Sequence, residues 1–369
     1  MDHCSAVIGL DVHKQAIVAA VLPPGAERAT EVLTVENDPR AVERLVKRVT
    51  TRGQATFVYE AGPCGYQVQR QLTALGQKAV VIAPALTPVR PGDRVKTDRR
   101  DAENLARLYR AGVLTEIRVP TRAEEGARDL VRTREDILGE RLRARHRLGK
   151  FLLRQGRVYR ETKAWGVKHR GWLKTQRFEW APLQQTFDAY LRALEEAEAR
   201  LETVGQQVYD LAQGDPYRVP VQYLRCLKGI ETLSALTLIV ETQDFRRFAT
   251  APAYMGATGL VSAERSSGEK VRRGGITKTG NAHLRRVLVE AAWGYRQRNV
   301  VSRPLAERRR GCPPNVVRIA QKTQDRLHRK FGRMISRNKP HQVAVIAVAR
   351  ELAGFVWAIA QHFPVEAPA

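Results

Sequence analysis

The chain has 369 residues, room for two or three domains and a substantial core, with 63 Lys and Arg against 38 Asp and Glu. The resulting net charge of +25 sets it apart from an ordinary soluble enzyme and calls for a polyanionic partner, DNA, RNA or both. No long basic amphipathic helix stands apart from the globular pattern, which argues against a membrane surface as that anion. Cys4, Cys64, Cys226 and Cys312 are scattered without a Cys-x-x-Cys pair, which argues against a zinc site or disulfide framework and for a reducing cytoplasm. The Met-Asp-His-Cys start lacks the basic and apolar stretches of a signal peptide.

Residues 1 to about 120 alternate strands and helices. Val7–Leu10, Ile17–Leu22 and Glu31–Val35 read as consecutive strands, the first two close enough for a hairpin. A helix from about Pro39, a strand over Thr56–Glu60, a helix over Tyr66–Leu75 and a strand over Lys78–Ala83 follow. This order predicts an α/β mixed sheet with helices on its faces, and by analogy it resembles a ribonuclease-H or Holliday-junction-resolvase (RuvC-like) fold.

Four carboxylates stand out in this region. Asp11 lies at or just past the first strand, and Glu60 ends the fourth. Asp98 and Asp101 lie three residues apart in Lys96-Thr-Asp-Arg-Arg-Asp-Ala-Glu-Asn-Leu105, so a helix would place them on one face. Clustered carboxylates repel, and such a group makes sense mainly around a divalent cation aimed at a phosphodiester. Taken singly, each has a plainer reading as a helix cap or ion-pair partner, Asp101 with Arg100 or Arg107.

From about Thr121 the pattern is helical, with Leu130, Ile137, Leu138, Leu142, Leu148 and Leu152 on one face of an Arg-rich segment. Residues 155–180 lose the period and carry Trp165, Trp172 and Trp180 among basic residues. Phe187, Tyr190, Leu194, Ala197, Leu201, Val204, Val208 and Leu211 then recur in steps of three and four, an a/d seam of the coiled-coil type. An antiparallel pair with the 122–155 helix within the same chain accounts for this seam equally well. Gly214-Asp-Pro216 ends the helix.

The remainder, residues 215–369, reads as a mainly α domain. Leu227-Lys-Gly-Ile-Glu-Thr-Leu-Ser-Ala235 is close to a helix-hairpin-helix that offers backbone N–H groups to phosphate, although Glu231 replaces the usual second glycine. A packing turn is the alternative. Ser266-Ser-Gly268, set among Lys270, Arg272, Arg273 and Lys278, predicts a loop able to grip a phosphate and present a serine nucleophile. Alone, such a loop is more often a linker. Asn281 is the expected N-cap of a helix whose Leu284, Leu288, Ala291 and Tyr295 face the core. Arg285 lies in that helix. Arg326, Lys330 and Arg333 belong to the densest basic face, expected to hold nucleic-acid backbone without sequence choice. The apolar stretch from Gln342 to Phe363 is interrupted by Arg350 and Glu351 and reads as a core helix rather than a membrane span.

Taken together, Gly9-Leu-Asp-Val-His-Lys14, Tyr59-Glu-Ala-Gly-Pro-Cys-Gly-Tyr66 and the Lys96–Leu108 stretch resemble the DEDD transposases of bacterial insertion sequences, relatives of the Piv DNA invertase. Arg225–Phe248 and the stretch from Ser266-Ser-Gly268 through Gly275-Ile-Thr-Lys-Thr-Gly-Asn-Ala-His-Leu-Arg-Arg286 resemble the second, transposase domain of that family. The resemblance implies a RuvC-like catalytic domain over residues 1–120, a coiled-coil middle over 121–214 and a helical transposase domain with a catalytic serine over 215–369. It makes Asp11, Glu60, Asp98 and Asp101 the catalytic and metal-binding tetrad, for Mg2+ or Mn2+. Ser267, directly before Gly268, becomes the nucleophile, with Ser266 as the adjacent alternative. It further implies donor and target DNA as substrates, a guide RNA made from the element's own non-coding end, and a dimer or tetramer joined through the coiled coil. A covalent protein–DNA ester would allow rejoining without ATP. The competing reading is a Holliday-junction-resolvase-like endonuclease that activates water with the same carboxylates; a non-catalytic nucleic-acid scaffold is the third.

Overall fold

Strands β1 (Ala6–Val12), β2 (Ala16–Leu22) and β3 (Glu31–Glu36) form an antiparallel meander, and β4 (Ala55–Glu60) and β5 (Lys78–Ile82) extend the sheet in parallel beyond β1. The strand order is β3-β2-β1-β4-β5. The computed structural model describes residues 6–51, 53–88, 97–267 and 272–364, in two units, Met1–Pro120 and Thr121–Ala369. The first unit is the mixed sheet with helices that the alternating pattern predicts.

Successive side chains of a strand point to opposite faces, and β1 uses both. Ile8 and Leu10 pack with Val42, Leu45 and Val46 of α1 (Pro39–Val49) and with Val68 and Leu72 of α2 (Gln67–Ala74). Val7 packs on the other side with Leu105, Ala106 and Tyr109 of α3 (Asp98–Arg110). Gly9 shares that side. A Cβ at Gly9 would lie 1.9 Å from the Ala102 carbonyl oxygen and 2.8 Å from the Ala106 nitrogen. Only a hydrogen there lets the backbone of α3 rest directly on β1, and alanine at 102 and 106 completes the close approach.

The second unit begins with two long helices, α4 (Arg122–Arg154) and α6 (Ala181–Gln213). Thr121 starts α4 with a reciprocal capping box to Glu124. The pair is antiparallel: Val208 and Ala212 pack near Ala127 and Val131 at one end, Phe187 and Leu194 near Leu148 and Phe151 at the other. Arg145 binds Glu198 at 2.7 Å and Arg200 binds Glu140 at 2.6 Å across the seam. The seam of α6 is thus filled by α4 of the same chain. Between the two, α5 (Val167–Thr175) gathers Trp165, Trp172 and Tyr159 around the His169 ring.

The remaining helices are α7 (Arg218–Leu224), α8 (Thr232–Thr242), α9 (Ala251–Ala257), α10 (Ala282–Ala292), α11 (Arg303–Arg309), α12 (Pro314–Ser336) and α13 (His341–Ala360). A hairpin of β6 (Ser262–Glu264) and β7 (Arg273–Ile276) precedes α10. Helix α13 is long and apolar enough to cross a membrane, yet Ala344, Val348, Leu352 and Val356 are buried where it packs with α9, α10 and α12. It is a core helix. The turn at Gly229 (φ +84°) presses on α10, where a Cβ would meet the Ala291 carbonyl oxygen at 2.3 Å. That glycine serves helix packing.

One buried carboxylate ties the long pair to the hairpin's base. The Glu241 side chain, 1 % exposed, accepts from Arg132 Nε at 2.7 Å, Arg132 Nη2 at 2.8 Å and Asn281 Nδ2 at 2.6 Å. Asn281 in turn caps α10 through His283 N and Leu284 N. Burial alone would push the Glu241 carboxyl up, but the bonds from Arg132 and Asn281 outweigh it and hold the group below its ordinary range. Removing one partner of such a pair leaves a buried charge uncompensated. Arg132→Ala, which strands the buried Glu241 carboxylate, is therefore expected to cost about 3–5 kcal/mol, read by chemical denaturation. In the unchanged protein this contribution is present above the carboxyl's unfolded-state pKa and is lost as pH falls through the depressed one.

Candidate active site

Helix α3 runs back along β1, so its first turn lies at the strand's carboxyl end. One helical turn rises about 5.4 Å and two strand residues about 6.6 Å, so the step from Ala102 to Asp98 matches the step from Gly9 to Asp11. Gly9 and Asp11 share a strand face. The contact that seats α3 on Gly9 thereby brings Asp98 beside Asp11.

A third group joins them. His13 Nε2 lies 3.2 Å from Asp11 Oδ2 and 3.5 Å from Asp98 Oδ2. The ligand atoms of Asp11, His13 and Asp98 all fall within 4.8 Å of one another. Burial raises the Asp11 carboxyl above its ordinary range; His13 pulls the other way, and the charges of Asp98 and then Asp101 push it up again. Thr97 caps α3 by accepting from Arg100 N, which leaves both aspartates in the first turn, where the helix dipole favours negative charge.

The four carboxylates expected from the sequence are thus not equally close. Asp11 and Asp98 meet, and the charge of Asp101 reaches Asp11. Glu60 stands at the exposed end of β4, one residue beyond the Tyr59 that pairs with Leu10, and its Oε1 accepts from Thr87 Oγ1 at 2.9 Å. Among the described residues it is outside the Asp11–His13–Asp98 group. The segment after it is pinned from below: the buried Tyr59 hydroxyl donates to Gly65 O and accepts from Gln69 N, and burial pushes it up to about 12. The Cys64 thiol donates to Val12 O at 3.7 Å, between Asp11 and His13.

The sequence reading did not single out His13. Its signal was present in the same motif: His13 follows Asp11 by two residues, the interval that returns a strand to one face.

In the second unit, Ser267 is exposed at the end of the described part of the hairpin loop. The Ser266 hydroxyl donates to Glu264 Oε1 at 2.8 Å, and Arg273 Nε reaches Glu264 Oε2 at 3.4 Å. Arg272 and Lys278 are exposed, whereas Lys270 lies outside the described residues. Arg285 Nη1 donates to the carbonyls of Thr258 and Lys278 and braces the hairpin's base. On α12, Arg326 and Lys330 both pair with Glu351, while Arg333 is exposed.

Comparison with known proteins matches residues 8–155 to the DEDD transposase family of IS110 and residues 221–305 to the transposase IS116/IS110/IS902 family. A Sinorhizobium fredii protein named as a transposase, y4qE, is 38% identical over 98% of this chain and 90% of its own length. The chain belongs to the IS110 family of DEDD transposases. The transposase for insertion sequence element IS1533 of Leptospira borgpetersenii is 32% identical over 90% of the chain and 97% of its own. That for IS1328 of Yersinia enterocolitica is 25% identical over 69% and 78%.

For this transposase, the DEDD family points to divalent-metal use, and the first unit suits it. Two carboxylates and an imidazole within 4.8 Å form a donor set that a cation would relieve of its mutual repulsion. The solvent exposure of His13 and Asp98, 52% and 61%, leaves the group open to a large substrate.

Proposed function

We propose that this transposase cuts and rejoins the DNA of its insertion sequence through Ser267, with Asp11, Glu60, Asp98 and Asp101 holding Mg2+ or Mn2+ and an element-encoded RNA selecting the sites. The observation that supports the metal half is the gathering of Asp11, His13 and Asp98 ligand atoms within 4.8 Å of one another, where the close seat of α3 on Gly9 brings the two carboxylates together. When bound, the cation would supply Lewis-acid neutralisation of a phosphodiester.

The chain's own residues would do the rest. The Ser267 hydroxyl attacks phosphorus; an Oγ–P bond forms, the P–O bond to the leaving strand breaks, the serine proton is lost and the leaving oxygen gains one. The cations of Arg272, Arg273 and Lys278 offset the charge that develops. The ester conserves the phosphodiester for rejoining to another strand. Ser266, whose hydroxyl donates to Glu264 Oε1, is the alternative nucleophile. A guide RNA and a dimer or tetramer rest on the family resemblance and on the +25 charge.

Denaturing a reaction containing labelled DNA should leave label attached to the protein, and Ser267→Ala should abolish both the adduct and strand exchange. Strand cutting without adduct in either protein would instead establish hydrolysis by the carboxylate group, the resolvase-like reading. RNA that co-purifies and maps beside the coding sequence tests the guide.

A further inference from the structure

We propose that the His13 imidazole is a direct ligand of the cation held by Asp11 and Asp98, and that it tilts the site toward Mn2+ over Mg2+. The inference rests on the metal reading above and adds a residue and a selectivity to it. His13 follows the last residue of β1 and is half exposed, and its Nε2 is hydrogen-bonded to Asp11 Oδ2. It lies between the two carboxylates, 3.2 Å from one and 3.5 Å from the other.

Those spacings suit shared coordination. Ligands on adjacent corners of an octahedron with metal–ligand distances of about 2.1 Å stand roughly 3 Å apart. A hydrogen bond from one ring nitrogen would account for one carboxylate; proximity of the same Nε2 to both is the geometry of a third corner. With Asp11 and Asp98 supplying oxygens, His13 supplies the nitrogen, and the remaining corners stay open to water and phosphate oxygens. Mg2+ is bound chiefly through oxygen and keeps its waters, whereas imidazole nitrogen suits transition-metal ions and raises affinity along that series. A nitrogen in the ligand set therefore favours Mn2+.

The experiment uses the full-length protein and Mn2+ alone as the probe, with Mg2+ as competitor. Wild type, His13→Gln and Asp98→Asn are titrated by electron paramagnetic resonance, and the bound ion is examined for nitrogen hyperfine modulation. The inference expects histidine-nitrogen modulation in wild type that disappears in His13→Gln. It also expects Mn2+ affinity to fall about tenfold or more, at least what loss of an outer-shell partner causes, with a smaller fall for Mg2+. Mn2+ bound by wild type without nitrogen modulation, or bound equally well by His13→Gln, overturns the inference and leaves the carboxylate metal site standing. Mn2+ bound by wild type no better than by Asp98→Asn overturns both. Because His13 is exposed, His13→Gln is expected to unfold at the wild-type temperature, which separates ligand loss from misfolding.

Discussion

Gly9→Val is expected to disrupt the first unit's candidate site and to destabilise that unit by about 1–3 kcal/mol, although the glycine lies two residues from the nearest carboxylate. Even a single methyl at this position would sit 1.9 Å from the Ala102 carbonyl oxygen, well inside any tolerable contact, and the obstacle is backbone. Helix α3 cannot yield by a rotamer change; it must lift from β1. Overpacking that displaces backbone typically costs about 1–3 kcal/mol, and valine adds two further carbons to that methyl in a site with Val7 and Leu105 already buried nearby. The lifted helix carries Asp98 away from Asp11. Thermal unfolding should therefore show an earlier transition, and DNA strand cleavage should fall even at temperatures where the variant is folded. Full cleavage by a folded Gly9→Val protein would mean that the Asp11–Asp98 approach is dispensable.

Asp11→Asn is expected to separate chemistry from folding in the opposite sense. If Asp11 is the anionic ligand proposed above, its loss removes Lewis-acid stabilisation; about 4 kcal/mol of transition-state energy corresponds to roughly a thousandfold in rate, so cleavage should fall by at least that factor. Stability without metal should stay equal or rise. Burial and the charges of Asp98 and Asp101 raise the Asp11 carboxyl in the folded state, so its favourable contribution to folding is full below the unfolded-state pKa and lost as pH rises through the raised one. At neutral pH the ionised group opposes folding, and asparagine removes that cost. Adding Mn2+ should reverse the ranking: at 100 times the dissociation constant, binding stabilises wild type by about 2.7 kcal/mol, and the variant should lack that gain. A metal-dependent rise in unfolding temperature that survives in Asp11→Asn would remove Asp11 from the ligand set.

Much of the first unit was legible in the sequence because its signals are local. Short continuous apolar runs marked β1, β2, β4 and β5, and Asp38 and Thr97 stand as caps before α1 and α3. The placement of Asp98 beside Asp11 is less local, since it depends on a glycine across from two alanines; no single stretch contains both sides of that contact. His13 shows a different limit. Its spacing from Asp11 was visible, but its role depends on a helix that begins 85 residues later. Glu60 was read correctly as the end of a strand, yet the direction of its side chain is set by Thr87, outside the motif. The seam of α6 illustrates why periodicity leaves partners open: an apolar stripe records that something covers it, and α4 of the same chain does so. For Ser267 there is no period to read, and the exposed loop offers no packing that would have fixed the hydroxyl in advance.

The long helix pair has a mechanical consequence. At 33 residues each, α4 and α6 run about 50 Å, and their antiparallel seam makes the pair a stiff beam rather than two tethers. Its far end carries Arg157, Arg160, Lys163, Lys168, Lys174 and Arg177 around the tryptophan-rich turn, while its near end is clamped through Arg132 and Glu241 to the base of the serine hairpin. A load placed on those distant cations by a bound polyanion would be carried along the stiff pair to the Arg132–Glu241–Asn281 joint at the hairpin's base.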